Sequence, residues 1–111
     1  MDSYSTAVDF LAAHGKTPQE DWKTKWENLD LDKWNPGLAV VAMDTAIELG
    51  LDRTKRWLEM AGNFTPEVAI ETFLHLREQH YRGDPDFKFE GRSWLTKLSE
   101  LRREATKHLE D

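Results

Sequence analysis

Apolar positions along this chain recur with the helical period almost from end to end. Tyr4 to Ala13 brings Ala7, Phe10 and Leu11 to one side, and His14-Gly15 supplies a residue suited to a left-handed stop. Thr17, Pro18 and Glu20 then form a capping-box pattern, predicting a second helix from Pro18 that carries Trp22 and Trp26 on one face. Asn35-Pro36-Gly37 opens a third helix in which Leu38 to Met43, Ala46, Ile47 and Leu49 leave little polar surface. A helix apolar nearly all round belongs at the centre of a fold. Gly50 ends it, Asp52 is the expected cap of a short basic helix with Trp57, Leu58 and Ala61, and Gly62-Asn63 closes that element.

Thr65-Pro66 starts a fifth helix running to about Arg82. Ala69, Phe73, Leu76 and His80 share one face with Ile70, Leu74 and Tyr81 beside them; Glu67, Glu71, His75, Glu78 and Arg82 lie opposite. Gly83-Asp84-Pro85-Asp86 reads as a turn, and Phe87-Lys88-Phe89 as a short extended piece. A last helix from about Gly91 to Leu109 turns Trp94, Leu98, Leu101 and Ala105 inward and Lys97, Glu100, Arg103, Glu104 and Lys107 to water. The predicted fold class is all-α, a compact bundle of about six helices, with residues 1–111 forming one domain and no repeat or linker.

Its 111 residues are enough to bury roughly two thirds of the surface the unfolded chain exposes, so no staple is needed. Cysteine is absent, which removes disulfides, thiolate chemistry and Cys-based metal sites. The net charge of −6 is uneven: residues 1–50 hold nine acids against four bases, the remainder twelve against eleven. Nearly every base has an acid within a helical turn, so no stripe for a phosphate backbone forms and nucleic acid is not an expected partner. Nor is a membrane: no apolar run approaches a span, and Met1-Asp2-Ser3-Tyr4 lacks the features of a secretion signal, so the expected location as synthesised is the cytoplasm.

The series Trp26, Leu29, Asn35-Pro36-Gly37-Leu38-Ala39-Val40-Val41, Asp44-Thr45-Ala46, Gly50, Arg53, Trp57-Leu58 and Gly62 resembles the second half of the phage-type N-acetylmuramidases of glycoside hydrolase family 108. Arg77, Tyr81-Arg82 and Gly91-Arg92-Ser93-Trp94-Leu95-Thr96-Lys97-Leu98 continue the likeness, which spans roughly residues 25–105. It implies a lysozyme-like helical lobe of phage or prophage origin, with Trp26, Trp57 and Trp94 as packing positions, peptidoglycan as ligand, and a place in the phage virion or at the cell wall. The family's Glu-Gly-Gly-Tyr segment, which carries its catalytic acid, is missing here. So are its glycine-rich cleft stretch and its Asp-Gly-x-x-Gly-Pro-x-Thr turn. The catalytic residues are therefore unknown, and the chain is expected to be catalytically incomplete on its own.

Glycoside hydrolysis needs a carboxylic acid kept protonated by burial or a like-charged neighbour, commonly with a second carboxylate across the bond. Asp44 and Glu48, i,i+4 on the apolar helix, are the one such pair; the alternative is an Asp44 buried against Arg53 or Arg77. Glu20 is the next candidate, because it precedes the matched segment as the family's acid does. Trp22 and Trp34, in polar surroundings, are candidates for stacking on a sugar or anchoring a partner, and Arg77 and Tyr81 complete the candidate binding set. No metal or cofactor is expected. His75 and His80 are five apart on different helix faces, and Trp34 stands where a calcium loop beginning at Asp30 needs a ligand. Ala46 to Leu58 has a helix-turn-helix outline, but Arg56 and Glu59 occupy its apolar anchor positions. Two classes of function remain: a muramidase-derived cell-wall protein, alone or completed by another chain, or an acidic protein-interaction module on the same fold.

Overall fold

The computed structural model describes residues 2–109. Six α-helices follow in order: α1 (Ser3–Ala13), α2 (Asp21–Asn28), α3 (Pro36–Leu49), α4 (Leu51–Ala61), α5 (Pro66–Arg82) and α6 (Phe87–Lys107). A 3₁₀ turn, Leu31–Lys33, links α2 to α3, and there is no strand among the described residues. This is the predicted all-α bundle of about six helices.

α3 is the axis of the bundle, touching each of the other five helices. Its start is written locally: the Asn35 side chain accepts from the Leu38 backbone N–H at 2.9 Å, and Pro36 fills the first helical position. Gly37 to Ala46 are all buried, as the apolar circumference demands, including Val40, Val41 and Met43 at zero exposure. Gly37 has a steric role: a Cβ there would stand 2.6 Å from the Ala105 carbonyl oxygen and 2.8 Å from Ile70 Cδ1, so its absence lets α3 close on α5 and α6.

Four local expectations are corrected. α2 begins at Asp21 and not at Pro18. Gly15 leaves α1 with φ of 85°, the Lys16 N–H returns to the Leu11 carbonyl at 3.0 Å, and the Lys16 side chain pairs with Glu48 of α3. Residues 16–19 are thus spent crossing to α2, and Thr17 caps nothing. α4 begins at Leu51, with Gly50 both ending α3 and capping α4; Asp52 therefore sits in the first turn, where its charge suits the helix dipole.

Third, Phe87-Lys88-Phe89 is helical, because α6 starts at Phe87. Gly91, one turn on, has no side chain, and the Phe87 ring occupies the space its Cβ would take. Phe89 is 75% exposed, so the pair does not share one buried face as an extended reading requires. Fourth, Lys97 does not face water. Only a fifth of its side chain is exposed, because it leans into the bundle to reach Asp44. Trp57 and Trp94 pack against the core while half-buried, whereas Trp26 is fully enclosed. No helix among the described residues is long and apolar enough to cross a membrane.

Candidate functional site

A buried polar knot ties the three central helices. Asp44 of α3 has no exposure, and its two oxygens lie 2.7 Å from Arg77 Nη1 on α5 and 3.0 Å from Lys97 Nζ on α6. These are charge contacts more than well-angled hydrogen bonds. Arg77 Nη1 also donates to Thr45 Oγ1 at 2.9 Å, and Nε to the Tyr81 hydroxyl at 2.9 Å. The Thr45 hydroxyl itself donates to the Val41 carbonyl at 2.8 Å. A charge out of water survives only with this kind of matching. Burial works to lower the Arg77 guanidinium, but Asp44 and then Tyr81 outweigh it and hold the group above its ordinary value. The Tyr81 phenol is pushed up, by burial first, with Arg77 opposing. Arg77 Nη2 is buried with no hydrogen-bond partner.

Above this knot an open groove of about 470 Å³ runs between the end of α3, α5 and α6. Tyr81 reaches its floor, with Arg77 behind it, and stacks on Trp94 with ring centres 4.7 Å apart. Its rim carries Lys16 with Glu48, His80, Asp84, Ser93 and Lys97. Three fixed cations (Lys16, Arg77, Lys97) meet three carboxylates (Glu48, Asp84 and Asp44 below), so the groove has aromatic surface, donors and acceptors but no net charge.

The sequence candidates divide accordingly. Glu48 and Tyr81 meet in the groove. Asp44 lies beneath it, closed off from any ligand, which corrects its reading as a candidate acid and selects the Arg77 alternative over Arg53. The i,i+4 repulsion is answered from both sides, since Asp44 has Arg77 and Lys97 while Glu48 has Lys16. Tyr81, taken as a binding residue, is 6% exposed and reaches a ligand only from the floor, whereas Arg77, like Asp44, has no exposure and lies behind that floor, which corrects its reading as a binding residue. Trp22 is corrected outright: at 3% exposure it belongs to the core, because Trp22 and Trp26, i,i+4, form the buried face of α2. Trp34 is half-buried and lines a different hollow. Glu20 is exposed just ahead of α2 and is not among the groove's lining residues. Sequence reasoning missed Lys16, Asp84 and Lys97. Lys97 had a signal, since it lies three residues after Trp94 and four before Leu101, inside the buried stripe of α6.

His80 gives the groove a pH dependence. Burial pushes its imidazole below the ordinary value of 6.5, and Arg53 adds to this. The unfolded chain therefore takes up the proton more readily, and stability contributed by neutral His80 is lost as pH falls below that value. In urea titrations the midpoint is expected to drop between about pH 7.5 and about pH 5.5, and to drop less in His80→Gln. Identical pH slopes for the two proteins would rule this out.

Compared with models of protein families, with curated proteins and with solved structures, the chain matches none.

Proposed function

We propose that this chain is a non-hydrolytic, muramidase-like cell-wall module, phage or prophage in origin, that holds glycan strands of peptidoglycan in the groove above Asp44 and Arg77. The observation that carries the reading is the groove's chemistry: a stacked Tyr81–Trp94 surface beside charge-balanced donors and acceptors. Sugars present an apolar ring face and many neutral hydroxyls, which such a lining suits better than a strongly charged ligand.

Hydrolysis has no comparable support. Of Asp44, Glu48 and Glu20, only Glu48 lines the groove, and its neighbour is a cation and not a second carboxylate. Asp84, the other carboxylate there, accepts from the Asp86 backbone N–H at 2.8 Å. The chain is expected to sediment with purified peptidoglycan and to give no clearing in a zymogram. Ser93→Arg, at an exposed rim position, should weaken sedimentation by about tenfold or more, the equivalent of about 1.4 kcal/mol, with the fold intact. Failure of the unmodified chain to sediment, or an unaffected Ser93→Arg, would sink the glycan reading; clearing would sink the non-hydrolytic half and make Glu48→Gln the first variant to test.

A second reading, a module that binds a partner protein, is favoured by Met60, Phe64 and Val68. They are 57%, 53% and 47% exposed from the end of α4 into the first turn of α5. Met60→Glu with Phe64→Glu should leave peptidoglycan sedimentation unchanged if the groove is the contact. Its loss would move the contact to this patch.

A further inference from the structure

Five large apolar side chains are exposed among the described residues, and Met60, Phe64 and Val68 are three of them. They flank one tight connection. Met60 is in the last turn of α4, the Phe64 N–H donates to the Ala61 carbonyl at 3.3 Å, and Phe64 immediately precedes Thr65, the cap of α5. Every residue from Asn63 to Val68 is exposed, while α4 and α5 pack against each other behind the turn. Apolar surface concentrated in this way marks a contact with another macromolecule.

The charges beside it decide which. Arg56 stands one turn before Met60 on α4, and Glu67 stands next to Val68 on α5. Both are exposed and neither takes part in an ion pair, whereas farther along α5 Glu71 is held by Arg102 and Glu78 by Arg82, each at 2.9 Å. Lys55 and Glu59, i,i+4 on α4, offset one another in charge. The patch therefore has a cationic flank on α4 and an anionic flank on α5, and a partner of one charge sign would be repelled at one of them.

We propose that this tip is a self-association surface, through which two copies of the chain pair about a two-fold axis beside Phe64. Met60 and Val68 lie four residues to either side of Phe64. The axis brings the two Phe64 rings together, sets Met60 of each copy on Val68 of the other, and answers Arg56 of each with Glu67 of the other. An isologous contact requires this kind of self-complementarity. The rest of the chain steers copies the same way. Residues 1–50 hold nine acids against four bases and the remainder twelve against eleven, so like charge opposes contact through the N-terminal half far more than through α4 and α5. With three apolar side chains at its centre, the contact belongs with small interfaces, under about 1,200 Å² in total, and is weak and reversible. It is independent of the groove above Asp44 and of any glycan.

Sedimentation equilibrium of the full chain, from about 10 μM to about 1 mM, should show a reversible rise from the mass of one chain towards that of two. Phe64→Ser should weaken pairing by about tenfold or more, as expected for an aromatic at the centre of a contact. Arg56→Glu and Glu67→Arg should each weaken it, and the chain carrying both should regain most of the loss, because exchanging the signs preserves the pair across a two-fold axis. These two positions are exposed helix-surface sites, so they decide the question even if Phe64→Ser disturbs the turn. Ser93→Arg, in the groove, should pair as the unmodified chain does. The mass of a single chain at every concentration overturns the proposal, as does pairing indifferent to Phe64→Ser. A double exchange weaker than either single one overturns the two-fold arrangement, and loss of pairing in Ser93→Arg overturns the proposal by moving the contact to the groove.

Discussion

Asp44→Ala is expected to cost about 3–5 kcal/mol, the range for removing one partner of a buried ion pair. Arg77 cannot escape the consequence: it has no exposure, and once Asp44 is gone its charge is met by Thr45 and Tyr81 alone. Lys97, a fifth exposed, can swing towards water, so Lys97→Met should cost markedly less. A domain of this kind has about 5–15 kcal/mol of stability in total, so Asp44→Ala is expected to leave the chain close to unfolding in dilute urea. The double variant Asp44→Leu with Arg77→Met replaces both charges with apolar groups and should recover much of the loss, since buried pairs are often dispensable as pairs though not singly. A loss below about 1 kcal/mol for Asp44→Ala would mean that Arg77 reaches water, and that α3, α5 and α6 do not close over it as described.

That knot marks the boundary of what the sequence reveals. Elements with a written start and a strong period were legible: Asn35-Pro36 and Thr65-Pro66 place α3 and α5 at their observed starts, and the apolar circumference of α3 puts it at the centre. Errors came where a tertiary contact overrode a local signal. Thr17-Pro18 is a sound helix start, but the chain there is tethered across α3 through Lys16 and Glu48, and the helix waits until Asp21. Phe87 and Phe89 alternate like a strand, yet the missing side chain of Gly91 lets Phe87 fold back over the first turn of α6. For the site, period placed Arg77 and Tyr81 one turn apart, and Asp44 against Arg77 was one of two open pairings. Lys97 was assigned to solvent because charge outweighed its position in the stripe. The groove itself was illegible, since it exists only where the end of α3 meets α5 and α6 in the folded chain.

Trp26→Ala is expected to cost about 3–5 kcal/mol, the range for truncating a fully buried aromatic. Trp57 and Trp94, half-buried, should fall below it. Trp26 has zero exposure, meets the Tyr4 ring edge-on at 5.4 Å and donates its indole N–H to Asp32. It also holds an element that cannot hold itself. α2 has eight residues, fewer than the roughly 12–15 below which an isolated helix is marginal in water, and its buried residues are Trp22 and Trp26. Hydrogen exchange should therefore show α2 and the 3₁₀ turn losing protection in Trp26→Ala while α3, α5 and α6 keep theirs. Trp26→Phe retains a ring and returns Asp32, already exposed, to water, so a smaller cost of about 1–2 kcal/mol is expected. Equal losses for the two substitutions would assign the stabilisation to the hydrogen bond and not to the ring. A loss under about 1 kcal/mol for Trp26→Ala would show that α2 is held by something other than its tryptophans.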